Sequence, residues 1–182
     1  QVFDLLRSGD IVTHCFNGKN PGSISDSPQI FANAKRLAEE GVYMDVGHGA
    51  ASYNFKVAKE AIANGLKPYS ISTDLHGWNL NGPVYDLATT VSKLYAAGLT
   101  LNECVNAITC NPRNFLALDN AATLAVGTKA DFTIFDVNDC DERVSDSQGN
   151  EMTMKSAFEP RMVISGAKTF LAERTKTPQS NS

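Results

Sequence analysis

The chain of 182 residues is short of several things that would decide its class at once. It has no excess of basic residues: 16 Lys and Arg stand against 20 Asp and Glu, a net charge of −4. That excludes a polybasic surface for nucleic acid. No stretch approaches the roughly 18 to 20 uninterrupted apolar residues of a membrane-spanning helix, and no charged start followed by an apolar stretch marks a secretion signal. A cytoplasmic protein without membrane or nucleic-acid partners is therefore expected. The four cysteines, Cys15, Cys104, Cys110 and Cys140, have no CxxC spacing, which suits reduced thiols rather than a disulfide framework. Neither GxGxxG nor a P-loop occurs, so a nucleotide or flavin binder is a weak alternative. The first residue is Gln1 and not Met, which raises the expectation that the sequence begins partway through a gene product.

What is present is a strand and helix alternation. Ile11 to Phe16 is a short apolar, β-branched run that reads as a buried strand. Ser27-Pro28 offers an N-cap and first helical residue, followed by Ile30, Phe31, Ala34, Leu37 and Ala38 at helical spacing, with Gly41 to end the helix. Val42 to Val46 forms a second strand, Phe55 to Ile62 a second helix closed by Gly65, and Tyr69 to Thr73 a third strand. A third helix is predicted over Val84 to Ala97, and Thr100 with Glu103 forms a capping box for a fourth. Asn111-Pro112 starts another short one. Such alternation predicts right-handed βαβ units in a parallel sheet. Three units are too few for a closed (β/α)₈ barrel, so residues 1–122 are expected to supply only part of one. From residue 123 to 172 the pattern changes to a small β region, with strands Phe132 to Val137 and Arg161 to Gly166. Asp136 to Glu151 reads as an acidic surface excursion, and residues 173–182 as a disordered tail.

The three histidines, His14, His48 and His76, all fall at or just beyond a predicted strand's carboxyl end, and Asp74 joins them. That edge is where parallel α/β architectures collect ligands and catalytic groups. Imidazoles and a carboxylate are suited to Zn²⁺ and similar divalent ions. Each residue also has a plainer role open to it: a core histidine for His14, a turn for Gly47-His48-Gly49, a helix cap for Asp74, a surface loop for His76. Cys15, next along the strand from His14, is expected to face the other way and pack as a small buried hydrophobe.

Thr13-His14-Cys15-Phe16-Asn17-Gly18, Asp45-Val46-Gly47-His48-Gly49, Ile71-Ser72-Thr73-Asp74-Leu75-His76 and Gly127-Thr128-Lys129-Ala130-Asp131-Phe132 resemble, in that order, motifs of the amidohydrolase superfamily. The likeness is to its deacetylase-like branch near dihydroorotases and D-aminoacylases, and it covers Gly9 to Gly166. The resemblance implies an α/β chain forming the C-terminal part of a metal-dependent (β/α)₈ TIM barrel, followed by strands of a small β-sandwich domain. It implies hydrolysis of a small-molecule amide, cyclic amide, N-acyl bond or ester by metal-activated water, with one or two divalent ions, zinc first among them. His14 then matches the ligand histidine of the family's fifth strand, His48 that of the sixth, and Asp74 the aspartate of the eighth, with Asp74 also the catalytic proton carrier and His76 a substrate-binding residue. The family's His-x-His pair and its fourth-strand lysine have no match and would lie upstream of Gln1. Since His48 and Asp74 are 26 residues apart, the seventh strand is expected to be very short or hidden around Ala51 to Phe55. The competing expectation is a non-catalytic remnant, or a subunit that completes a barrel with a partner chain or associates with a second copy through its open sheet edges.

Overall fold

The computed structural model describes residues 2–118 and 124–176. After a 3₁₀ turn at Val2–Leu5, the elements are β1 (Ile11–Val12), α1 (Pro28–Glu39), β2 (Tyr43–Met44), α2 (Phe55–Ala63), α3 (Leu87–Ala96), α4 (Leu101–Ile108), α5 (Cys110–Phe115), β3 (Asp131–Ser145), β4 (Glu151–Ser165) and β5 (Lys168–Leu171).

The helices start where their caps dictate. Ser27 Oγ accepts from Ile30 N, with Pro28 at the first helical position, and Asn54 Oδ1 accepts from Val57 N. Thr100 and Glu103 satisfy each other's backbone as a capping box. α3 begins later than its apolar pattern suggests: Tyr85 has φ of +66°, and Asp86 caps Thr89 N at 2.6 Å. Gly41 and Gly65, just past α1 and α2, adopt φ of +96° and +84°, the left-handed turn that glycine takes without a Cβ penalty.

β1 and β2 pair in parallel, Ile11 with Tyr43 and Val12 with Met44. The third expected strand is reduced to a parallel bridge between Asp45 and Ser70, extended by bonds from Val46 N to Ser70 O, His48 N to Ser72 O and Gly49 N to Thr73 O. The three extended segments are thus immediate neighbours. No strand occurs at 51–55, where the chain turns into α2, which corrects the expected hidden strand.

The second unit is an antiparallel sheet in the order β3-β4-β5. Residues 136–145, expected as a surface excursion, are strand, and the turn is confined to 146–150. Acidic side chains obscured the strand because they are spent across the hairpin: Asp141 on Lys155, Glu151 on Arg143 and Asp136 on Arg161. Val144, Met154, Ala157 and Phe158 of the hairpin join one apolar cluster with Phe16, Val46, Tyr53, Val91 and Leu94. α3 lies between sheet and βαβ units; Thr89 through Leu94 are all buried, and Phe158 N donates to Ser92 Oγ at 2.9 Å. Among the described residues this is a single sheet packed on a helix, not one sheet stacked on another.

The expected disordered tail is also corrected at its start. Arg174 is only 4% exposed, and its guanidinium bonds both Glu142 and Glu159 while Thr175 N donates to Asp86. The bidentate fork neutralises two acidic residues that the packed sheet would otherwise strand. Residues 177–182, and the expected boundary at 122/123, lie outside the described residues.

Candidate active site

The strand ends meet at one edge. His14 and Asp74, each the first residue past an extended segment, hold φ of +60° and +48°. Among the described residues only Tyr85 and Ala117 share that region without being glycine. A non-glycine residue at such angles costs energy that the surroundings must supply, and such residues gather at functional sites.

Gly47-His48-Gly49 runs between the two. A Cβ on Gly47 would come 2.6 Å from His14 Nδ1, and one on Gly49 would come 2.6 Å from Asp74 Oδ2. Both glycines also have positive φ, +48° and +56°. Glycine is required here for approach as well as for conformation.

The Gly47 carbonyl accepts a hydrogen bond from His14 Nδ1 at 2.6 Å. A carbonyl oxygen can only accept, so Nδ1 carries the proton and the Nε2 lone pair is left for a ligand. A backbone carbonyl fixing the tautomer from behind is the usual arrangement for a metal-bound histidine. Asp74 is exposed, and its backbone carbonyl accepts from Asn79 Nδ2 at 2.9 Å. His76, in the same exposed loop, uses Nδ1 to accept from Trp78 N at 3.3 Å, and its backbone N–H donates to Asn79 Oδ1. The buried Asn79 therefore staples the loop that follows Asp74.

His48 is different. Its ring is fully buried, stacked on Tyr53 with centroids 4.6 Å apart. Nδ1 donates to Gly49 O at 3.0 Å, and Nε2 accepts from Lys93 Nζ at 3.0 Å. Burial first, and the Lys93 charge second, push its pKa down to about 3, so it is neutral. His48 was expected as a third ligand beside His14 and Asp74; in this geometry its Nε2 lone pair is engaged by Lys93 Nζ, so the three are not brought together as one donor set. Among the described residues no three His, Cys, Asp or Glu side chains gather as a metal cluster. His14 and Asp74 fit a divalent cation as two donors of the right chemistry, with the rest of the set to come from elsewhere.

Two functional-looking residues escaped the sequence. Asp45, 7% exposed, accepts from Thr13 Oγ1 at 2.7 Å, Ser70 Oγ at 2.6 Å and Ser72 Oγ at 2.6 Å, tying all three extended segments together. The spacing Ser70-x-Ser72, two hydroxyls on one strand face, was the available signal. Lys93 is fully buried, its pKa pushed down to about 7 by burial and pulled partway back by Asp146 and Asp86. A lysine between Val91 and Leu94 inside an apolar pattern was its signal. Cys15 is 2% exposed, its thiol pushed up by burial, as a packing residue should be.

The sequence profile of the amidohydrolase family matches residues 26–170. The chain belongs to the amidohydrolase family. Within that family it is 49% identical to a deacetylase of Agrobacterium fabrum over 174 residues, 96% of this chain and 43% of that protein. It is 37% identical to a deacetylase of Enterococcus faecalis over 172 residues, 93% of this chain and 47% of the relative. The chain thus spans less than half the length of the curated relatives it matches. Among solved structures, a dihydroorotase superposes with a TM-score of 0.92 at 47% identity, covering 98% of this chain and 46% of that one. An adenine deaminase superposes at 0.86 with 36% identity, covering 94% and 47%. These relatives place the chain in the α/β class. No helix among the described residues is long and apolar enough to cross a membrane.

Proposed function

We propose that this chain is the C-terminal part of a metal-dependent hydrolase of the amidohydrolase family, acting on a non-peptide C–N bond of a small molecule such as an N-acyl group or cyclic amide. The observation that carries it is the His14 imidazole, held in the Nδ1–H tautomer by Gly47 O, with the strained Asp74 against Gly49 at the other end of the same segment. In this proposal three neighbouring extended segments are the last strands of a (β/α)₈ barrel, and the antiparallel sheet belongs to the family's β appendage. His14 Nε2 and the Asp74 carboxylate would hold a divalent cation, zinc being the natural partner for an imidazole and a carboxylate. When bound, the cation lowers the pKa of water toward neutrality and polarises the scissile carbonyl.

The remaining steps belong to the protein. Asp74 accepts a proton from the attacking water and returns it to the leaving nitrogen, base and then acid in turn. Its exposure leaves it free to meet substrate, while the Asn79 staple limits how far its backbone can drift. His76, beyond Asp74 on the stapled loop, is positioned to bind the substrate's polar edge. The deacetylase names of the curated relatives favour N-acyl substrates; dihydroorotase and adenine deaminase neighbours favour ring C–N bonds.

The test is hydrolysis of N-acetyl amino acids, cyclic ureides and acyl esters by the full-length protein, with and without chelator. Chelator-sensitive turnover of one class supports the proposal. No turnover of any class by the metal-loaded protein contradicts it. A second reading, in which the half-site is completed by another polypeptide, is favoured by the same shortage of donors and by the outer edge of β1, unpaired among the described residues. An upstream frame encoding His-x-His and a lysine would exclude it.

A further inference from the structure

We infer that Lys93, with His48 and Ser147, is a positioning device that holds the Gly47-His48-Gly49 backbone so that His14 and Asp74 present their ligand atoms, and that this is what the β hairpin contributes to the site. The inference rests on the proposed cation site for its functional meaning, while its geometry stands independently.

Lys93 Nζ has three protons to donate and three acceptors around it: His48 Nε2 at 3.0 Å, Ser145 O at 2.8 Å and the Pro83 carbonyl. Those acceptors come from three places. His48 is on the segment between the two candidate ligands, Ser145 is the last residue of β3, and Pro83 lies in the loop that follows Asp74. One buried ammonium thus joins the strand edge, the hairpin and the loop. Ser147, in the hairpin turn, adds a second tie: its hydroxyl lies 2.8 Å from Gly49 O and 3.1 Å from His48 O, and it accepts from Tyr53 N at 3.2 Å. From below, Ser72 Oγ accepts from Gly47 N.

The segment so clamped has no side chain to spare at either glycine, and its backbone oxygens do the work. Gly47 O sets the His14 tautomer, and Gly49 packs against the Asp74 carboxylate. A bare glycine-flanked turn would wander over many conformations. Burying an ammonium and a neutral imidazole costs free energy, and it is offset only while every donor finds its acceptor, so the cluster has essentially one arrangement. Loss of Lys93 leaves His48 Nε2, Ser145 O and Pro83 O without their donor and releases the segment. The effect on the ligands is indirect: the Lys93 Nζ bonds go to His48, Pro83 and Ser145 and not to His14 or Asp74, so it is a positioning and not a catalytic residue.

The experiment uses the full-length protein and four variants, Lys93→Met, His48→Leu, His48→Gln and His14→Gln, each first checked for folding by near-ultraviolet circular dichroism. Zinc affinity is measured by competition with a chromophoric chelator, and the His14 tautomer of the metal-free protein by two-bond ¹H–¹⁵N spectra. Lys93→Met should lower zinc affinity about 10- to 100-fold, as removal of an outer partner of a ligand does, and should shift His14 from pure Nδ1–H to a mixture of tautomers. His48→Leu should behave alike. His48→Gln places an amide oxygen near the Nε2 position, so Lys93 keeps its acceptor and affinity should recover to within a factor of a few of wild type. A Lys93→Met protein with unaltered tautomer and unaltered affinity overturns the inference. So does a folded His48→Gln protein that loses zinc as completely as His14→Gln, since His48 would then be a ligand. If the wild type itself holds no divalent ion, the cation site fails, and the tautomer spectra alone decide whether Lys93 positions His14. Where Lys93→Met does not fold, the contrast between His48→Leu and His48→Gln decides.

Discussion

Acid should weaken this protein through His48 in a way that one substitution removes. The imidazole is fully buried and neutral, with its pKa pushed from 6.5 to about 3 by burial and by Lys93. In the unfolded chain it regains its ordinary pKa. Below pH 6.5 the unfolded state therefore binds a proton that the folded state refuses, so stability is fully present above pH 6.5 and is lost as pH falls toward about 3. Each pH unit inside that window is worth roughly 1.4 kcal/mol. Going from pH 6.5 to pH 4.5 should thus remove about 3 kcal/mol from His48 alone, a large share of the roughly 5 to 15 kcal/mol available to a domain. Carboxylates that the fold stabilises, Glu103 on Lys67 among them, add losses of the same sign. The difference between wild type and His48→Gln isolates the imidazole, because glutamine does not titrate. Urea unfolding followed by far-ultraviolet circular dichroism at pH 7, 5.5 and 4.5 gives both curves. The wild type should lose about 3 kcal/mol more than the variant over this span. Parallel curves would show that His48 is charged or solvated in the folded protein, and the buried Lys93–His48 pair would have to be abandoned.

Gly49→Ala should depress zinc affinity more than stability: a Cβ there would sit 2.6 Å from Asp74 Oδ2 at φ of +56°, so the carboxylate must move. The backbone strain itself is about 1 to 2 kcal/mol, and competition titration that finds unchanged affinity would refute the proximity. Arg174→Met should cost about 3 to 5 kcal/mol in urea unfolding, because Glu142 and Glu159 lose the buried cation they share; a loss under about 1 kcal/mol, the scale of a solvated pair, would mean that the pair is solvated. Phe158→Ala removes a ring stacked on Phe135 and edge-on to Tyr95, and should cost about 3 to 5 kcal/mol by the same assay. A much smaller loss would show that hairpin and α3 do not share a core.

The starts of α1 and α4 were legible because capping is local, whereas α3, read from its apolar pattern, begins three residues later at its Asp86 cap. Ser27-Pro28, and Thr100 with Glu103, carry their own hydrogen-bonding instructions within four residues. Strand continuity in the hairpin was not, because the polar run from Asp136 onward is explained only by partners such as Lys155 and Arg174, distant in sequence. The site divided along the same line. His14 and Asp74 could be picked from their places at strand ends, although their positive φ left no mark in a sequence where glycine usually signals it. His48 was read as a ligand from its place at a strand end, and the Lys93 Nζ that engages its Nε2 in the fold lies 45 residues away on a different element, where no local pattern points to it. The expected hidden strand failed for a related reason: it followed from the strand assignments that the resemblance implied, and the segments at Asp45 and Ser70 instead bridge directly. Family resemblance supplied the order of motifs, and only geometry assigned them to adjacent strands.

The central claim is that His14 and Asp74, and not His48, hold a divalent cation. It is tested most directly by crystals of the full-length protein grown with zinc, with diffraction data collected on both sides of the zinc absorption edge. An anomalous peak is expected about 2.0 to 2.2 Å from His14 Nε2 and from an Asp74 carboxylate oxygen, while His48 Nε2 still faces Lys93. A peak at His48 Nε2, or density for zinc far from both His14 and Asp74, would contradict the account.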